Sequence, residues 1–201
     1  MTFRHFCSAV VVAVTALGGS VATAQSAQSA DVRLETTASA ISADDARPEL
    51  TTLLPQHRLA GKGRLVVWGF QVYDSRLWVV PGFKADNLAA SAFALELAYL
   101  RDFSSKDIAE RSIKEMRRLA TISDEQAKAW IADMQRVIPD IKKNDRVMGL
   151  HRPGVGAQLL VNGKPSGEIR DAEFARLFFG IWLSPKTSEP KLRAALLAGA
   201  G

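Results

Sequence analysis

Four residues of this chain are suited to hold an oxygen-rich or anionic ligand: Arg64, Arg101, Arg111 and Tyr99. A guanidinium offers a planar fork of donors that matches a carboxylate better than an ammonium does. A phenol hydroxyl beside it would add a second partner. Period-2 alternation puts Arg64 on a strand face with Trp68, and Tyr99 on another with Arg101. Trp68, Phe70, Phe174, Phe178 and Trp182 could line an apolar cleft near them. Such a cleft would accept an acyl chain, each buried methylene contributing about 0.8 kcal/mol, or a flat aromatic molecule. The candidate binding set is therefore Arg64, Trp68, Tyr99, Arg101, Arg111, Phe174 and Phe178. The bland alternative stands beside it: aromatics as ordinary core, arginines as solvated surface, and a cleft filled by side chains.

Other chemistries lack their residues. No GxSxG, P-loop or strand-borne GxGxxG is present. Beyond the N-terminal segment the histidines are His57 and His151, neither with a second ligand at metal spacing, so no metal and no cofactor is expected. Lys62 between Gly61 and Gly63 resembles a phosphate loop only superficially, and the carboxylates form no obvious pair. The single cysteine, Cys7, lies in the leading segment, which leaves no thiol nucleophile and no disulfide after it. The net charge of +5 is scattered, as at Lys106-Asp107 and from Glu115 to Arg118. No basic stripe is present, so no nucleic-acid partner is expected.

Three segments divide the chain. Residues 1–24 read as a cleavable signal peptide: Arg4 and His5, an apolar run from Phe6 to Leu17, and Ala22-Thr23-Ala24 at the cleavage position. The run falls short of the roughly 20 residues that span a bilayer. The expectation is an exported, periplasmic protein with no stable membrane span after cleavage. Residues 25–54, rich in Ala, Ser, Thr, Asp and Gln, read as a flexible leader with a short strand near Val32–Leu34. Residues 55–201 are long enough for one domain with its own core.

The elements that must position the candidate residues follow from pattern. Gly61 and Gly63 mark a bent strand start. Arg64 to Tyr73 reads as one strand, Asp74-Ser75 as a turn, and Arg76 to Val80 as a second strand ended by Pro81-Gly82. Phe93 to Arg101 alternates as a strand. Ser104 and Ser123 open two capped helices, and Pro139 stops the second. Arg146 to His151 is a strand. Ala157–Val161 meets Asn162-Gly163, a strong hairpin signal, and a short strand returns to Ile169. Asp171 caps a helix whose Phe174, Leu177, Phe178 and Ile181 form one apolar face. Ser188 caps the last helix, with Pro190 in its first turn. The order predicts an α+β domain with a large, mostly antiparallel sheet.

Leu59-Ala60-Gly61-Lys62-Gly63, Gln71-Val72-Tyr73, the segment from Ser104 to Ser112, the Asn162-Gly163 hairpin, and Gly180 to Leu183 with Leu192 to Leu197 resemble, in order and spacing, the bacterial chalcone isomerase-like proteins. The resemblance covers about His57 to Ala198. It implies the chalcone isomerase-like fold, with helices packed on one face of the sheet and an apolar cleft between the layers. It also implies two functional branches. The plant enzymes cyclise a chalcone, using an arginine near a threonine, a tyrosine and an asparagine. Relatives without that set bind fatty acids, using an arginine and a tyrosine on the carboxylate.

This chain departs from the enzymes' pattern. Ser104 stands for the tyrosine, Arg111 for the asparagine and Trp68 for the threonine, while Gly180 falls near a late hydroxyl position. The enzymes' arginine has two candidate counterparts, Arg58 and Arg64. One lost donor at a developing oxyanion can raise a barrier by about 2.7–4 kcal/mol. The expectation is a non-catalytic, exported binder of a fatty acid or similar amphipath, with no catalytic residues. The alternative is an intramolecular lyase or isomerase in the same cleft, with Arg111 and Arg64 on an enolate or phenolate. A third reading, an interaction module, predicts a filled cleft and an exposed apolar patch elsewhere.

Overall fold

Alternation sorts Phe93–Tyr99 into two sets of side chains, and the fold is built around that strand. In the computed structural model, which describes residues 45–200, it is β3 of a six-stranded antiparallel sheet ordered β1-β2-β3-β4-β5-β6. The other strands are β1 (Arg58–Val67), β2 (Phe70–Val79), β4 (Arg146–Arg152), β5 (Gly156–Val161) and β6 (Lys164–Ile169). The helices are α1 (Pro48–Leu53), α2 (Ser105–Met116), α3 (Asp124–Val137), α4 (Ala172–Leu183) and α5 (Pro190–Leu196). Among the described residues no helix is long and apolar enough to cross a membrane. The expected signal peptide and the expected strand near Val32–Leu34 lie outside the described residues.

Local chemistry sets the starts of three helices as expected. Ser104 Oγ accepts from the Asp107 amide, Ser123 Oγ from Gln126, and the Asp171 carboxylate from Glu173 and Phe174. Each cap satisfies an amide with no partner inside the helix, worth about 1 kcal/mol. Asn162 and Gly163 take φ of 52° and 78° in the β5–β6 turn, as a two-residue hairpin demands. α5 differs. Glu189 is its N-cap without a side-chain bond, and Ser188 Oγ instead donates to Glu115 Oε2 on α2 at 2.9 Å.

Arg64 to Tyr73 is not one strand. The chain reverses at Trp68-Gly69, whose φ angles are 49° and 83°. Strand formers flank that turn on both sides, and a bulky side chain in the left-handed region is an outlier, so composition does not mark it. Asp74 and Ser75 consequently sit inside β2, paired with Arg64 and Gly63. The expected common strand face of Arg64 and Trp68 does not exist.

The inner face of the sheet, with Tyr73, Leu77, Phe93, Leu95, Leu97, Tyr99 and Val147, is covered by α2 to α5. The outer face carries Trp78, Ala94, Met148, Leu150 and Leu160, and it is covered by Leu50 of α1 and by Leu54 just after that helix. Helices therefore lie on both faces. The stretch expected as leader, 25–54, carries α1 in its described end, because large apolar side chains on the outer face must also leave water. Glu96, 0% exposed, lies on this face. Arg47 holds its two oxygens at 2.6 Å each, Arg146 adds a bond of 2.6 Å, and Arg76 stands 3.6 Å away. Asp45 accepts from Arg76 and Lys62 at 2.8 and 3.0 Å.

Irregular pairing shapes the sheet. Ala60 on β1, Val72 on β2 and Ser166 on β6 are each an extra residue in their ladder. Gly61 and Gly63 let α5 lie directly on β1. A Cβ at Gly61 would stand 2.1 Å from the Ala195 carbonyl oxygen, and one at Gly63 2.7 Å from Leu192 Cδ1.

Candidate functional site

α5 runs over β1 with Ala195 at Gly61 and Leu192 at Gly63. Its direction brings Ser188 and Glu189, just before the helix, over the next stretch of the strand, Leu65 and Val67. There the helices stand off the sheet and leave a cleft of about 560 Å³. That lies inside the range typical of small-molecule sites, about 300–1,000 Å³. Its floor is Leu65, Val67, Phe70, Val72, Tyr73, Leu97, Tyr99 and Val147. The extra residue in β2 lets neighbours Val72 and Tyr73 both line it. α2 contributes Ile108, Arg111, Ser112 and Glu115 to the roof, and α4 contributes Phe178, Ile181 and Trp182. Trp68, Arg101 and Phe103 also line it.

Polar groups are few, and most are paired. Arg111 Nη2 lies 2.8 Å from Glu115 Oε1. Glu115 Oε2 takes the Ser188 hydrogen bond and lies 3.6 Å from Arg118. Trp182 Nε1 donates to the Tyr73 hydroxyl at 2.9 Å. Among the described residues the Tyr73 proton has no acceptor and the Tyr99 hydroxyl has no hydrogen bond. Burial pushes both phenols well above the usual tyrosine range, so at neutral pH both remain O–H donors. For Tyr73 the Trp182 bond pulls the other way without overcoming burial. The two tyrosines are the chain's only ones and face each other across β2 and β3, ring centroids 5.8 Å apart. Arg101 lies over the Phe70 ring at 5.1 Å and has no acidic partner among the described residues.

The structure brings Trp68, Tyr99, Arg101, Arg111 and Phe178 to this cleft and leaves out Arg64 and Phe174. Arg64 is exposed on β1, where Nε and Nη2 grip the Asp74 carboxylate at 2.6 and 2.9 Å. The misread turn explains the miss, because Asp74 was expected in a loop. Phe174 is fully buried at the start of α4, stacked on Phe178 and edge-on to Trp130. Tyr73, Glu115, Ser188 and Glu189 were missed. A cross-strand pairing of the two tyrosines was the available signal for Tyr73, and it required the Trp68-Gly69 turn.

Of the positions that depart from the enzymes, Arg111 and Trp68 line the cleft, while Ser104 and Gly180 have structural duties. Ser104 caps α2 and donates to Asp107 Oδ2 at 2.6 Å. Gly180 gives Leu119 room, since a Cβ there would stand 2.8 Å from Leu119 Cδ1. Arg58 donates to the Gly199 carbonyl, away from the cleft. His57 Nδ1 meets the Leu54 carbonyl, and His151 is buried against Phe93 with Nδ1 at the Ser91 carbonyl. Among the described residues no three His, Cys, Asp or Glu side chains are placed to hold a metal ion.

Known proteins resemble this chain in sequence or in fold. A protein of Haemophilus influenzae described as uncharacterized is 30% identical over 131 residues, covering 65% of this chain and 63% of that protein's length. A fatty-acid binding protein of Arabidopsis thaliana matches with a TM-score of 0.58 over 72% of this chain and 88% of its own. The two share 13% of their residues, so this likeness is one of fold. A family model described as chalcone isomerase-like matches residues 55–198. With that match over the whole sheet and the helices that cover its inner face, the chain belongs to the chalcone isomerase-like family.

Proposed function

We propose that this protein is a non-catalytic binder of a fatty acid or similar apolar carboxylate, held in the cleft between sheet and helices. One observation carries the reading: a cleft of about 560 Å³ with largely apolar walls, a free guanidinium and two phenol donors. Arg101 is the cation for the carboxylate, because no acid competes for it. Arg111 is held by Glu115 and is the weaker candidate. Leu97, Val147, Phe178 and Ile181 would take the tail. Export to the periplasm belongs to the same proposal, supported by the signal-peptide pattern of residues 1–24. The rival reading, an intramolecular lyase, needs Arg64 and Arg111 on one oxyanion, and Arg64 is bound to Asp74 outside the cleft.

Titration with a fluorescent fatty-acid analogue tests the proposal. Saturable binding is expected. A hydrogen bond to a charged group is worth about 1.5–3 kcal/mol, so Arg101→Ala should weaken binding by roughly tenfold or more. A native chain that takes up no analogue, or that turns over a chalcone, would overturn it.

A further inference from the structure

The β1–β2 hairpin ends in an apolar tip that the core does not use. Trp68 is 93% exposed, Phe70 60% and Val66 48%, three of the four large exposed hydrophobics among the described residues. They fall within five residues of sequence, at a turn where Trp68 holds a φ of 49°. A tryptophan is an unusual choice there; asparagine would satisfy the backbone better. Burial therefore does not account for the residue, and neither does turn geometry.

The tip is continuous with the cleft. Trp68 and Phe70 line it together with Leu65 and Val67, so whatever the tip touches lies at the cleft's mouth. Arg101 is the unpaired cation beside it, while Asp107 and Glu189, farther along the cleft lining, are carboxylates with no cationic partner among the described residues. Arg101 lies over Phe70 without an acidic partner, while Arg64 is matched by Asp74, and Asp102 by Lys142. Tryptophan and arginine together fit the interfacial layer of an anionic bilayer: indole at the headgroup level, guanidinium on a phosphate.

We propose that the Trp68-Gly69 hairpin tip docks this protein on an anionic membrane surface, setting the mouth of the cleft against the lipid. The inference rests on the carrier reading for its purpose, since an acyl ligand would enter from that surface. It does not rest on that reading for its physics.

Vesicles of phosphatidylethanolamine with phosphatidylglycerol, compared with pure phosphatidylcholine, test it. Trp68 is the exposed one of four tryptophans; the other three are buried. The native chain should co-sediment with the anionic vesicles, and its emission should shift to the blue and be quenched by brominated lipid. Trp68→Asn installs an Asn-Gly turn, so the hairpin keeps its fold while vesicle binding falls by roughly tenfold. Arg101→Gln should cost about fivefold on anionic vesicles and little on neutral ones. Ile181→Trp, which fills the cleft away from the tip, should lose the acyl analogue and still co-sediment. Failure of the analogue assay alone thus touches only the carrier reading. A native chain that ignores anionic vesicles, or a Trp68→Asn chain that binds them equally well, overturns docking. So does a concentration-dependent dimer abolished by Trp68→Asn, which would assign the tip to a second copy.

Discussion

The two faces of this sheet solve opposite problems with the same strands. On the outer face Glu96, Arg47, Arg76, Arg146 and Asp45 form a paired ionic cluster beside Trp78, closed over by α1. On the inner face β2 and β3 present Val72, Tyr73, Leu97 and Tyr99 to a space that the helices leave open. The outer face is charged yet closed; the inner face is apolar yet holds a void. A buried charge survives only with partners on every side, which forces close packing. An apolar wall has no directional demand and tolerates a gap where the helix positions are set elsewhere, here by Gly61, Gly63 and the Ser188–Glu115 bond.

The largest break in this contrast should come from the ionic cluster. Glu96→Ala leaves three arginines without their shared carboxylate, and removing one partner of a buried pair costs about 3–5 kcal/mol. Urea unfolding should read that loss, with ligand affinity of the surviving folded fraction unchanged. Next comes the helix placement on the inner face. Gly61→Ala forces a methyl against the Ala195 carbonyl, which stands 2.1 Å from the Cβ position. Overpacking of this kind costs about 1–3 kcal/mol. Because α5 and Ser188 shift together, the same variant should weaken analogue binding as well as lower the melting temperature.

The smallest effect is a separation in pH. Burial lowers the His151 value below its ordinary 6.5, so the folded chain keeps it neutral. The unfolded chain takes up that proton, so stability from the inner face is full above 6.5 and falls as pH drops toward the folded value. Asp45 on the outer face is held below its ordinary 3.8, by Arg76 first and against the cost of burial. Its contribution is present above 3.8 and is lost only as pH falls below that. Chemical unfolding followed from pH 8 downward should therefore show an early decline that His151→Phe removes and a later one that it leaves in place.

These contrasts explain what could be read from the residues. The caps at Ser104, Ser123 and Asp171 and the Asn162-Gly163 turn are decided within four residues, and all were legible. The alternation of β3 correctly put Glu96 opposite Leu95 and Leu97. Its partners come from residues 47, 76 and 146, and no local pattern announces pairs so far apart. α1 was unreadable for the same reason: its six residues are a helix because Trp78 and Met148 need a cover. The Trp68-Gly69 reversal failed on different grounds, since the residue at the bend opposes the conformation it adopts. Arg101 and Tyr99 were legible as cleft residues through alternation; Tyr73 was not, being four residues past the misread bend.

One consequence follows from the irregular outer strands. Ala60 breaks the ladder of β1, and Ser166 beside Pro165, which has no N–H, breaks that of β6. A seventh strand approaching from solvent would find neither an even row of donors nor a flat ribbon at either margin. Both margins of the sheet are therefore poor templates for edge-to-edge pairing, and the six strands end in edges that discourage polymerisation of folded copies.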